Sequence, residues 1–158
     1  MFQSVGLLDE RLESYLEDVD FGLRCALHGL GGRYVPEAVA YHHGSATRGR
    51  WHPKTVRQIA RNQVLLIAKH YPRKVLLRFG WPILVAQLLW GFVAFRHGAG
   101  WAYLRGKIEG VRSYRRLRPA QFPDAAISAV LIQSEAELRR MQNACGFDRY
   151  WRLYFALT

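Results

Sequence analysis

Residues 79–95, FGWPILVAQLLWGFVAF, run for 17 positions without a formal charge. No other stretch limits the fold as much. Apolar surface left in water costs about 25 cal/mol per Å2, so such a run is either buried in a core or laid against lipid. It falls just short of a spanning helix, which needs about 20 residues, and Pro82, Gln87 and Gly91 weaken it. Arg73, Lys74 and Arg78 precede it and Arg96 follows. Trp81, Trp90 and Trp101 suit the boundary between water and lipid.

The basic flanks belong to a larger asymmetry. The chain of 158 residues has a formal net charge of +11, yet residues 1–47 carry −4, residues 48–118 carry +15 and residues 119–158 carry zero. Three readings suit the basic middle. Arginines could bind nucleic-acid phosphates, solvate the outer face of a helical core, or lie on anionic lipid. The basic residues flank an apolar run instead of lining a polar groove, which argues against nucleic acid. The combination favours an element on an anionic membrane surface.

Periodicity divides the chain into three parts. In residues 1–50, Ser14-x-x-Glu17 fits a capping box. Val19, Leu23 and Leu27 then follow one helical face, and Gly29 is a stop. Pro36 predicts a bend before a short strand over Ala38–His42, and GSATRGR reads as a loop. In residues 51–118, Val56, Ile59, Ala60, Gln63, Val64 and Ile67 share a side from Thr55 on, with Arg57 and Arg61 elsewhere and Pro72 as a break. Trp101, Leu104, Ile108 and Val111 recur at three- and four-residue steps and predict a basic amphipathic helix, weakened by Gly106 and Gly110. In residues 119–158, Pro119 and Pro123 precede a second capping box, Ser134-x-x-Glu137, whose helix Gly146 would close; an aromatic tail follows. Cys25 and Cys145 make neither a disulfide framework nor a metal-ligand spacing, which suits a reducing compartment. The start, MFQSVGLLDERLE, reaches charge at once and does not read as a signal peptide.

Against this basic background, YLEDVDFGLR packs Glu17, Asp18 and Asp20 into four positions. Carboxylates in a first helical turn complement the macrodipole, each by about 0.3–1 kcal/mol. A general base at a helix start, Asp18, is the other reading, and local spacing allows both. Asp20 and Arg24 stand four apart and can pair on one helix. His42 and His43 alternate across the expected strand, so at most one faces any given site.

The wider stretch decides between these readings by resemblance. Gly6, Asp9-Glu10-Arg11, Tyr15, Glu17-Asp18-Val19-Asp20, Arg24, Gly29, Tyr34-Val35-Pro36-Glu37-Ala38 and His42-His43-Gly44-Ser45 follow one another in the first fifty residues. This order resembles the C-terminal half of the catalytic domain in family 2 glycosyltransferases, especially the bacterial rhamnosyltransferase-like branch. Ser14-Tyr15-Leu16 departs from the more aromatic family pattern, a matter of packing more than of chemistry.

The resemblance implies a predominantly helical α/β fragment: the acceptor-side part of a GT-A domain, followed by basic and apolar helices. It implies that Asp18 deprotonates an acceptor hydroxyl and that Glu17 orients the acceptor or the base. It gives His42 to a divalent metal, Mn2+ or Mg2+, in the complete enzyme. Arg24, His43, Ser45 and Arg48 become secondary substrate-binding positions. The segment with Ser45, Thr47, Arg48 and Arg50 would then cover a diphosphate or remain a solvated loop. The nucleotide-binding half of such enzymes ends in a DxD motif, and none precedes Asp18 here. The expectation is therefore a portion of an inverting, cell-wall-type glycosyltransferase, incomplete and inactive alone. It would move sugar from a nucleotide-sugar donor to a glycan or lipid-linked acceptor. A separate polypeptide is one source of the missing half. The expected location is cytoplasmic, peripheral to the inner face of the cell membrane. The competing expectation is a non-catalytic membrane-surface or interaction protein derived from the same half-domain.

Overall fold

A computed structural model describes residues 2–41, 49–114 and 122–158. The described chain is predominantly helical. Its elements are α1 (Phe2–Val5), a 3-10 turn (Glu10–Leu12), α2 (Glu17–Leu27), α3 (Pro53–His70), α4 (Arg73–Arg96), α5 (Gly100–Tyr114), α6 (Asp124–Cys145) and α7 (Arg149–Leu157). The breaks fall where backbone chemistry demands them. Gly29 leaves α2 at φ +72° and Gly146 leaves α6 at φ +87°, a left-handed region that suits glycine. Pro72 separates α3 from α4, and Pro53 starts α3, where its missing N–H costs nothing. Pro82 stands inside α4 without ending it.

Both expected capping boxes are absent. Before α2 the cap position is Leu16, with no side-chain cap, and Glu13, Tyr15 and Leu16 all have positive φ, between 59° and 71°. Ser14 is thereby turned away from the capping geometry. Ser134 and Glu137 lie inside α6, which begins ten residues earlier at Asp124, directly after Pro123. The expected strand is also missing from its described part, since Ala38–Tyr41 have no ladder partner and no strand geometry. His42, the end of that expected strand, lies outside the described residues.

The densest packing joins α3 to α5. Helix α5 packs through its small residues and leaves most of its apolar row outside, although Leu104 rests against the core. Trp101 and Val111 are 76% and 62% exposed and Ile108 is half exposed, whereas Tyr103, Gly106 and Gly110 are buried. The glycines are the contact. A Cβ on Gly106 would lie 2.8 Å from the Ala60 Cβ, and one on Gly110 would lie 2.6 Å from the Val64 Cβ and 2.9 Å from the Arg61 carbonyl oxygen. Two backbones approach this closely only where side chains are missing, as in small-residue helix contacts. Glu109, the one acidic residue of the basic middle, fastens the pair through Arg57, whose Nε donates to Glu109 Oε2 at 2.8 Å. Around this seam Val56, Ala60, Ala94, Ala99 and Tyr103 form the core, with Trp51 and Trp90 against it. Trp51 also stacks on His97, centroids 4.1 Å apart.

Helix α4 has two faces. Val75, Val85, Gly91 and Ala94 turn inward. Leu77, Trp81, Leu84, Leu88, Phe92 and Phe95 recur at three- and four-residue steps and are exposed. Helix α6 packs on α2 and α4, and α7 on α4, so the C-terminal part closes over the first two.

Two glycine substitutions test the α3–α5 seam. Gly106→Ala should destabilise the chain by about 1–3 kcal/mol through overpacking. Gly80→Ala, at a helical glycine whose added Cβ meets nothing within 4 Å, should instead stabilise it by about 0.5–1 kcal/mol. Thermal melts followed by circular dichroism read both; equal effects would contradict the packing described.

Candidate functional site

The site is built on the start of α2, and the preceding loop is what holds it. Asn62 on α3 is fully buried and its Nδ2 donates to three carbonyls of that loop: Leu12 at 2.7 Å, Ser14 at 3.0 Å and Tyr15 at 2.8 Å. Arg61 donates to Glu13 Oε1 at 2.9 Å and to the Arg11 carbonyl. Lys69 reaches Asp9 Oδ2 at 2.8 Å. One face of α3 thus pins residues 9–15 in their strained, positive-φ path, a conformation that costs of order 1–3 kcal/mol per residue unless surroundings enforce it.

Within EDVD the structure separates the carboxylates. Asp20 is 0% exposed. Its Oδ2 accepts from Arg24 Nε at 2.9 Å, and its Oδ1 accepts from His70 Nε2 and Lys69 Nζ, each at 2.7 Å. Arg24 spends its remaining donors on the Val5 carbonyl and, at 2.7 Å, on the Leu7 carbonyl. The i,i+4 pair read from the sequence is therefore present, and it is the centre of a buried network. Burial alone would push Asp20 up, but the hydrogen bonds from His70 and Lys69 outweigh it and hold the carboxyl down at about 2. Asp9 lies well below the usual carboxylate range, chiefly through its hydrogen bond from the Arg11 side chain, which with help from Lys69 outweighs the opposing effect of burial.

Asp18 is exposed in the first turn of α2, where its Oδ1 accepts from the Val19 N–H at 2.9 Å. Glu17 is half-buried, and its Oε2 is enclosed with no hydrogen-bond partner among the described residues. The arrangement offers one solvent-facing carboxylate, one partly enclosed carboxylate beside it, and the positive end of a helix beneath both.

The remaining expected positions divide simply. His42, His43, Ser45, Thr47 and Arg48 lie outside the described residues. Arg50 is described, with its guanidinium 5.8 Å from the Trp51 ring centroid. Arg24 is taken up by Asp20 and two carbonyls. Among the described residues no three His, Cys, Asp or Glu side chains converge on a point that could hold a metal ion. The described donor set does not fit a divalent cation. Sequence reasoning missed Asn62, Lys69 and His70, which lie about fifty residues from their partners. Their only local signal is a polar side chain on the inner side of α3, beside apolar Val56, Ala60, Leu65 and Ala68.

Comparison with protein-family models, curated proteins and solved structures finds no match to this chain.

The two aspartates should separate in stability measurements. Asp20→Ala leaves buried cationic donors unpaired and should cost about 3–5 kcal/mol. Asp18→Ala should stay within about 0.5 kcal/mol of the parent. The depressed Asp20 pKa gives the pH dependence a sign: its contribution is complete above the unfolded value of about 3.9 and is lost as pH falls toward about 2. Denaturant titrations from pH 7 to pH 2 should show that loss in the parent and a shallower one in Asp20→Ala.

Proposed function

We propose that this chain is the acceptor-side portion of an inverting, family 2-like glycosyltransferase of GT-A type, working on a membrane surface with a donor-binding half. The observation that carries the reading is the division of labour within EDVD. Asp20 has both oxygens committed to buried donors, while Asp18 two positions earlier faces solvent. A general base needs an oxygen within hydrogen-bond reach of its substrate, and of these two only Asp18 offers one. In the proposed reaction Asp18 takes the proton from an acceptor hydroxyl. The acceptor oxygen bonds to the anomeric carbon as the bond to the nucleoside diphosphate breaks, and the configuration inverts. Glu17, with an unpartnered oxygen beside it, orients the acceptor. The donor half supplies the nucleotide pocket.

Residues 30–41 support the two-part arrangement. They run without helix or strand, and Tyr34, Val39 and Tyr41 are exposed. Aromatic and β-branched residues of this kind suit pairing with a sheet edge. In the complete enzyme, with donor half supplied, Asp18→Asn should cut turnover by about 10²-fold or more while donor binding persists. Near-normal turnover would refute the assignment.

Membrane association is supported by α4 and favours, as a second reading, a non-catalytic membrane-surface protein. Helix α4 is long and apolar enough to cross a membrane by length and composition alone, and its window of highest hydropathy is only 17% buried. One face is packed against protein and the other bears the exposed apolar row between Arg73, Lys74 and Arg78 at one end and Arg96 at the other. That geometry suits a helix lying in the interface. Co-sedimentation with vesicles should require anionic lipid and weaken with salt. Equal binding to neutral vesicles at every salt concentration would leave the apolar row as the sole anchor. Binding without sugar transfer by the reconstituted enzyme would favour the second reading.

A further inference from the structure

A cavity of about 400 Å3 lies between the start of α2 and helices α3, α4, α6 and α7. Ile67, Phe79, Ile83, Leu131, Leu138 and Trp151 supply much of its wall. That volume is within the usual range for a small-molecule site, about 300–1,000 Å3. Empty apolar space of this size is a cost to the fold, because the lining groups lose their dispersion contacts.

One end of the cavity is polar. Gln63 and Gln87 both line it. Lys107 of α5 sits behind them: its Nζ donates to Gln63 Oε1 at 2.7 Å and to Gln87 Oε1. With their carbonyls bound to an ammonium, the two amides keep their N–H groups, and among the described residues neither Nε2 has a partner. Lys107 pairs with no carboxylate among the described residues. Burial pulls its pKa down to about 8. A cation held in a low-dielectric place without a counter-charge is an incomplete arrangement. An anion at this end would meet amide donors and an ammonium together.

We propose that this cavity binds a single hydrocarbon chain of an amphiphile whose anionic head rests at Gln63, Gln87 and Lys107. The occupant follows from the complementarity of the two ends. The walls are mostly apolar and suit a chain, although Ser134 and Glu135 also line them. An ammonium with no carboxylate partner among the described residues, behind two donor amides, favours a negative head over a neutral one. The cavity is bounded by the inner side of α4, through Phe79, Ile83 and Ala86, while the outer side of the same helix carries the exposed apolar row. Leu16 and Val19 line the cavity, so it also borders the start of α2. The proposal is independent of sugar transfer and survives failure of that reading.

The test is photolabelling of the full chain on vesicles containing anionic lipid with a long-chain fatty acid bearing a diazirine near its methyl end. Adducts are mapped by mass spectrometry. Labelling should fall on Leu131 and Trp151, saturate, and be displaced by unlabelled fatty acid but not by the corresponding fatty alcohol at equal concentration. Ala86→Trp and Leu138→Trp each fill the cavity and should abolish the label; either one with unchanged helicity suffices. Lys107→Met should weaken labelling by about tenfold, the scale of one lost charge-assisted contact. Three results overturn the proposal: adducts confined to the outer row, such as Leu84 and Leu88; labelling that does not saturate; or labelling that persists in a folded filled variant.

Discussion

The structure depends on one buried carboxylate. Asp20 has no solvent contact, so its charge must be met entirely from within. Arg24 from its own helix and Lys69 and His70 from the end of α3 meet it. This fixes two helices in register, because moving either by one residue would strand a charge. Arg24 extends the constraint to the carbonyls of Val5 and Leu7, and Lys69 extends it to Asp9. The N-terminal forty residues contain little apolar core of their own, with Val5 and Leu12 the buried hydrophobics before α3. Polar and ionic contacts, not burial of apolar area, attach them to the bundle. A consequence is specificity at a modest gain in stability, as expected of buried ion pairs.

The same logic redistributes the basic middle. A net charge of +15 over residues 48–118 suggests a uniformly cationic surface. In the fold, several of those charges face inward or are matched. Arg57 pairs with Glu109, Arg61 with Glu13, and Lys69 with Asp9 and Asp20. Lys107 is turned toward two glutamines. Among the described residues, Arg50, Lys54, Arg105 and Arg112 also stay without a carboxylate partner, while Arg73, Lys74, Arg78 and Arg96 bracket the exposed apolar row of α4. Charge and apolar surface coincide there, which favours lipid over nucleic acid more strongly than the total charge does.

Punctuation was legible in the sequence and faces were not. Gly29, Pro72 and Gly146 mark real ends, since a positive φ or a missing N–H acts locally whatever the tertiary context. The apolar core of α4 was plain from its uncharged run over 79–95, but its extension back to Arg73 was not. The two capping boxes failed because S-x-x-E is a short pattern that tertiary contacts override. Asn62 pulls the carbonyls of Ser14 and Tyr15 toward α3 and forces the chain through positive φ, leaving no cap geometry at Ser14. The packing face of α5 was not legible for a different reason. Periodicity of large apolar residues points inward only when neighbours can accommodate them. Here α3 approaches too closely for any side chain at 106 or 110, so glycine packs and the apolar row turns out. The site was half legible. Asp18, Asp20 and Arg24 share one short block, whereas Asn62, Lys69 and His70 act across about fifty residues, and their local pattern does not name their partners.

The placement of Asp18 follows from that of Asp20. On a helix, residues two apart point about 200° from each other, given 3.6 residues per turn. Once Asp20 is drawn into the α2–α3 interface, Asp18 must emerge on the opposite side, and Val19, one residue on, is left beside the apolar cavity. The strained approach through Glu13, Tyr15 and Leu16 sets where α2 begins, and so places Asp18 in the first turn, where the helix supplies unsatisfied N–H groups. Nothing flexible intervenes between the buried network and the exposed carboxylate. Whatever binds at this helix start meets a negative group held by the bundle itself, on a backbone that α3 has already placed in its working geometry.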